Sequence, residues 1–347
     1  MLVAIILFVL LGMSVLMNLG HFMESILGGG NLPSHHSAGP RLEEVVVKDN
    51  DGRAKIAVIT IDGIITSSMI DQSGYSMVEV IKAQLDRAAD DVHVKAVLLK
   101  VDSPGGEVLA SDDIAKAIRQ FQADKKHGKP VVATMGSLAA SGGYYVSAPC
   151  RWIVANELTI TGSIGVIMST LNYRGLMNKV GIRPVTYKSG RFKDMLSGSR
   201  DPEEVPAEER AMLQSLIDET YERFKSVVDD GRKAAQQKNE QDELKGRKLA
   251  DNWREYADGR ILSGKEAHAL GFVDQLGDFD DAVEQAAEIA GLKEDYNLIE
   301  YRLRYDLGDF LRLFGKSEAR GVKVELGIEM PKLDAGRLYF LSPTYLH

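Results

Sequence analysis

Two short apolar runs, residues 96–101 (AVLLKV) and 131–134 (VVAT), each lead into a glycine-rich turn, and they limit the fold more than any other feature of the chain. An apolar run without alternation is buried on both faces, as in a parallel sheet covered by helices on either side. The intervening segments fit that picture, with Val78, Ile81, Leu85 and Ala88, and then Ile114, Ile118 and Phe121, at helical spacing. Residues 55–61 (KIAVITI), 152–155, 164–168 and 184–187 read as further strands, and 141–147 as a short helix. The alternation predicts an α/β fold with a largely parallel sheet. Pro206 opens a long amphipathic helix whose buried stripe is read as Leu213, Leu216, Ile217, Phe224 and Val228. Residues 232–254 are charge-dense and read as a solvated, peripheral segment. Asp278 reads as the N-cap of a helix carrying Phe279, Ala282, Val283 and Ala286.

Composition narrows the function. With 44% apolar and 27% charged residues the chain is globular, and a net charge of −8 leaves no basic surplus for a nucleic-acid backbone. Cys150 is the sole cysteine, which excludes an intrachain disulfide and a cysteine-rich zinc site. Residues 1–23 contain no Asp, Glu, Lys or Arg, and as a helix they would span about 34 Å at 1.5 Å per residue. The basic start of a cleavable signal is missing, so the run is expected to be one transmembrane anchor. Residues 24–50, rich in Gly, Ser, Pro, His and Asn, are expected to form a tether reaching about 30 Å, with His35 and His36 solvated. The expected division is therefore 1–23 anchor, 24–50 tether, 51–295 main domain and 296–347 C-terminal extension. The apolar, tyrosine-rich end of that extension, from Leu338 onward, is expected to dock, either as a strap between copies or as a substrate-like tail.

The chain lacks a GxxxxGK[ST] loop, an HExxH helix, a GxGxxG turn after a strand and a GxSxG elbow, so phosphate, zinc, dinucleotide and histidine-based esterase chemistry lose support. Two glycine-marked turns remain, 102–106 (DSPGG) and 136–145 (GSLAASGGYY), at the carboxyl ends of strands, where α/β sheets bind ligands. Glycines there let backbone N–H groups approach a developing oxyanion. Ser141 reads equally as a nucleophile or as a helix cap. Lys193, in KSGRFKD, is by itself an ordinary surface lysine, although a neutral lysine can act as a base.

Five ordered motifs add a resemblance. VDSPGG, MGSLAASGGYY, TGSIGV, KSGRFKDM and ADGRILSGKEAHALGFVDQLG, spread over most of residues 54–292, resemble the signal peptide peptidase A group of membrane-anchored serine proteases in its half-length form. That resemblance implies Ser141 as nucleophile, Lys193 as general base and Ser163 as the hydroxyl that positions the lysine. It implies the N–H groups of Gly106 and Gly142 as the oxyanion hole, and no cofactor or metal. It also implies a crotonase/caseinolytic-protease-like α/β fold, a ring-shaped homo-oligomer, and a catalytic domain on the outer side of the cytoplasmic membrane acting on remnant signal peptides. Two departures stand out: residues 197–200 read SGSR where the family often has Ser-Pro-x-Arg, and 232–254 is longer than usual. Extended peptides are expected to add as a strand beside Gly105, Gly106 and Val108 on one side and Ile164, Gly165 and Val166 on the other. Making a lysine neutral near pH 7 to 8 requires about 4 kcal/mol, mostly from desolvation, so an apolar groove is expected. A crotonase-type acyl-CoA hydratase or isomerase, and a catalytically silent membrane scaffold, are the competing readings.

Overall fold

The computed structural model describes residues 39–69, 74–293, 295–304 and 338–341, with Ser14 alone ahead of them. Its centre is a nine-stranded sheet. The main path runs β1 (Leu42–Lys48), β10 (Tyr296–Leu303), β2 (Ala54–Asp62), β3 (Val94–Ser103), β5 (Val131–Ala140), β6 (Trp152–Ala155) and β9 (Gln275–Leu276). From β10 to β9 every pairing on this path is parallel, and β1 closes one edge antiparallel to β10. Beyond its bend β5 pairs with β7 (Ile160–Gly162), which carries β8 (Ile261–Ser263) antiparallel.

The apolar runs divide by parity, as strand geometry requires. Ala57, Ile59, Val97, Leu99, Val131 and Ala133 face one layer, built by α1 (Met77–Asp90), α2 (Val108–Ala123), α3 (Gly142–Ser147) and part of α5 (Ala207–Gln241). Ile56, Val58, Ala96, Leu98 and Val132 face the other, where α7 (Phe279–Ile289) supplies Ala282, Val283 and Ala286. The expected α/β architecture is thus present as three layers. Asp278 caps α7 as read, accepting from the N–H groups of Asp280 (2.9 Å) and Asp281 (3.1 Å). Two short helices complete the described set, α4 (Arg174–Lys179) and α6 (Gly264–Ala269).

Several local expectations are corrected. Residues 164–168 are not a strand; the strand lies earlier, at β7, and within the stretch only Ile167 forms a bridge, to Tyr339. Residues 184–187 are irregular and largely exposed, and among the described residues no strand pairs with them. α5 (Ala207–Gln241) buries Phe224 and Val228 but leaves Leu216 exposed and Leu213 and Ile217 half-buried, since its first half lies off the sheet. The 232–254 segment is not uniformly peripheral. Arg232 is 2% exposed and ion-paired to buried Asp274, because α5 runs on past it against the end of α3. The sheet also takes in β1 and β10, which lie on either side of residues 51–295.

Among the described residues no helix is long and apolar enough to cross a membrane. The expected anchor, residues 1–23, lies outside the described residues apart from Ser14.

Candidate active site

β3 and β5 end side by side in the sheet, and their glycine turns meet. After Ser103 the chain reverses at Gly105 (φ +98°) into β4 (Gly105–Glu107). A Cβ on Gly105 would fall 2.5 Å from the Gly142 nitrogen, and one on Gly142 would fall 3.1 Å from the Gly106 nitrogen. These glycines are required by contact as well as by conformation, and they bring the N–H groups of Gly106 and Gly142 to one place. The Ser103 hydroxyl accepts from Gly105 N–H at 3.0 Å and steadies the turn.

Ser141 joins β5 to α3 at φ 55°, ψ −115°, a conformation that L-residues rarely adopt. Its N–H donates to the Gly162 carbonyl at 2.8 Å, and its carbonyl accepts the Tyr145 N–H at 2.8 Å. The side chain makes no capping hydrogen bond, which removes the cap reading. The hydroxyl is buried, with the residue 1% exposed, and has no hydrogen-bond partner among the described residues. A buried hydroxyl without a partner on a strained backbone is costly twice over, and such costs cluster at reactive positions.

Ser163 follows the glycine that receives the Ser141 amide. It is buried, has φ 49°, and its N–H donates to the Arg260 carbonyl at 2.7 Å. Ile164 is fully buried, and Gly165 and Val166 are half-buried. Ser141, Gly105, Gly106, Gly142, Ser163 and the start of 164–166 therefore converge. Lys193 makes no hydrogen bond to the Ser141 hydroxyl. It is exposed, in a turn closed by its own N–H on the Gly190 carbonyl (3.3 Å), on an arm held to α5 by Arg200 and buried Glu209 (2.8 Å). The same arm exposes Leu171, Leu176, Val180, Val185 and Tyr187, the last 94% exposed.

The edge expected to receive a peptide is occupied by the chain's own β11 (Tyr339–Leu341). It pairs antiparallel with β4, Phe340 opposite Gly106, and Val108 N–H donates to the Leu338 carbonyl at 3.3 Å. On its other side Tyr339 and Ile167 exchange both backbone hydrogen bonds, at 3.1 and 3.2 Å. The Gly105 carbonyl and Glu107 N–H point to Ile65, at 2.9 and 2.8 Å, so strand alternation turns the Gly106 N–H to the opposite edge, toward β11. Phe340 is fully buried, stacked on Tyr145 at 4.7 Å and against Phe224 at 4.6 Å. The docking of the C-terminal end was expected; the Tyr145–Phe224 box that receives it was not, and the aromatic residues of GGYY were its only signal. Reading along the chain also missed Ser111 and Glu107, whose side chains support β4 from behind.

The family model described as Peptidase family S49 matches residues 123–293. A protein of Enterococcus faecium provisionally named signal peptide peptidase SppA is 37% identical over 75% of this chain and 71% of its own. A provisionally named protease of Synechocystis, slr0021, is 40% identical over 70% and 77%. Among solved structures, a mutant ClpP1 of Listeria monocytogenes aligns at TM-score 0.37 with 16% identity, covering 65% of this chain and 94% of that one. The architecture rests on the strand order above; the family rests on the two sequence relatives, and on them the chain belongs to peptidase family S49, with the signal peptide peptidase A proteins.

Proposed function

We propose that this peptidase is a membrane-anchored serine endopeptidase that hydrolyses remnant signal peptides, with Ser141 as nucleophile and Lys193 as general base. The observation that carries the reading is the Ser141 hydroxyl, buried without a partner on a strained strand-to-helix turn beside the nitrogens of Gly106 and Gly142. The Ser141 oxygen attacks the scissile carbonyl carbon as its proton passes to neutral Lys193. The N–H groups of Gly106 and Gly142 hold the oxyanion. Collapse breaks the C–N bond, the amine leaves with the proton from Lys193, and the acyl group stays on Ser141. Water then adds, giving its proton to Lys193, and the acid departs as Ser141 regains a proton.

Lys193 is exposed, and so are the apolar side chains of its arm. A second copy laid over that arm desolvates the lysine and brings one lysine to each Ser141, so the dyad is completed by assembly into a ring. Ser163, one residue past the carbonyl that holds the Ser141 amide, orients it. Residues 1–23 anchor the enzyme, with the body on the outer side of the cytoplasmic membrane, and 24–50 include the tether. The peptide pairs with residues 105–108 and 164–166 by displacing β11.

The test is hydrolysis of a set of signal-peptide sequences by the full chain. Wild type should cleave them, and Ser141→Ala and Lys193→Met should each lose at least about a thousandfold. Cleavage by Ser141→Ala at the wild-type rate would remove the assignment.

A further inference from the structure

An oxyanion donor works only if its N–H is held to within about 0.5 Å of one position. Gly106 has no side chain to anchor it and follows a glycine at positive φ, so its position is set from outside. The support is the loop after β2. Ile65 N–H donates to the Gly105 carbonyl at 2.9 Å, and Glu107 N–H donates to the Ile65 carbonyl at 2.8 Å. The fit is close: a Cβ on Gly106 would lie 1.9 Å from the Ile65 oxygen. Ile65 itself sits in no regular element, only in a single bridge to Gly106, so something must hold the loop.

Glu107 holds it. This residue is 8% exposed, and its carboxylate reaches back across β4 to the turn that follows Ile65. It accepts from the Thr66 hydroxyl at 3.1 Å, from the Ser67 N–H at 3.1 Å and from the Ser67 hydroxyl. Its carbonyl accepts from the Ser111 hydroxyl at 2.9 Å, which ties the same residue to α2. A carboxylate accepts at both oxygens, and a buried polar group persists only where it is so satisfied. One side chain thus binds the Thr66–Ser67 turn to β4, with Ile65 clamped over Gly106 between them.

We infer that Glu107 is a positioning residue for peptide hydrolysis: its carboxylate locks the Thr66–Ser67 turn and thereby fixes the direction of the Gly106 N–H. The inference rests on the serine-peptidase reading of this site. It assigns Glu107 no contact with the substrate and no proton transfer; the effect passes through Ile65. Loss of the carboxylate should therefore weaken stabilisation of the oxyanion more than binding of the peptide. Glu107→Gln can keep its oxygen on the two Ser67 donors and donate its NH2 to the Thr66 hydroxyl, with the carboxylate's charge lost, so it should fall between Glu and Ala.

The experiment measures kcat and KM of the full chain on a signal-peptide substrate, with affinity for a peptide aldehyde that forms the tetrahedral adduct. Glu107→Ala should lose about tenfold or more in kcat and bind the aldehyde more weakly by a similar factor, with KM within about twofold. In a Ser141→Ala background, peptide affinity should not respond to Glu107→Ala. If Glu107→Ala fails to fold, Thr66→Val combined with Ser67→Ala removes the two hydroxyl donors without touching β4 and should reproduce the kcat loss more weakly. Unchanged kcat in the variants that fold, or a loss carried by KM alone, would overturn the role of Glu107. Equal hydrolysis by wild type and Ser141→Ala would overturn the peptidase reading first, and the positioning role with it.

Discussion

At Ser141, stability and reactivity oppose each other. The backbone at φ 55°, ψ −115° is strained by about 1–3 kcal/mol, and the hydroxyl is buried without a partner. Removing that hydroxyl removes a desolvation cost while leaving the backbone as it is. Ser141→Ala should therefore raise the unfolding free energy by about 1 kcal/mol while abolishing hydrolysis, read by chemical denaturation beside the activity assay. A fall in stability would mean that the hydroxyl has a partner in the native protein. Cys150 gives a residue-scale prediction in pH. Burial at the end of α3 pushes its thiol up to about 12. Below that value the native thiol stays protonated while the unfolded thiol ionises near its ordinary 9, so stability falls as pH rises through that window. At pH 8 a thiol reagent should leave Cys150 unmodified in the native protein and modify it in urea. The glycines and Ser141 were legible in the sequence because their constraint is local. Arg232 was not: its charge reads as surface, and the carboxylate that buries it, Asp274, is 42 residues away. Arg232→Met would strand that carboxylate and should lower stability by about 3–5 kcal/mol in thermal or urea unfolding.

Among the elements, the central strands were legible because both of their faces are buried, which writes a continuous apolar run into β2, β3 and β5. The cap of α7 was legible because Asp278 and its acceptor geometry lie within one turn, whereas the capping serines Ser76 and Ser263 were not read. The edge strands were not. β1 and β10 find each other across some two hundred and fifty residues, Leu42 opposite Leu303, and β1 is mostly exposed, so no local pattern marks it. β11 is three residues long and owes its place to Phe340 rather than to strand propensity. Because β11 lies along the β4 edge, the proposed peptide site is reached by displacing it. Deleting residues 338–347 should raise the hydrolysis rate on a saturable peptide by several-fold with the assembly size unchanged in light scattering. A smaller assembly with an unchanged rate would instead make the tail a strap between copies.

For the whole molecule, the described body brings Ser141, the nitrogens of Gly106 and Gly142 and the β4 edge together, but it leaves Lys193 exposed on an apolar arm. The motifs that hold these residues were readable in order along the chain; the proposed completion between copies was not, because one sequence carries no sign of which surface meets its twin. If assembly supplies the lysine, inactive Ser141→Ala and inactive Lys193→Met proteins should recover activity when dissociated, mixed and reassembled, since some sites then combine an intact serine with an intact lysine. No recovery in mixed assemblies of confirmed composition would place the lysine within one chain. The most direct measurement remains covalent. Full-length protein treated with a serine-directed fluorophosphonate and mapped by mass spectrometry should carry one adduct, on Ser141, that disappears in Lys193→Met. An adduct on another serine, or none in protein that hydrolyses peptides, would contradict the account.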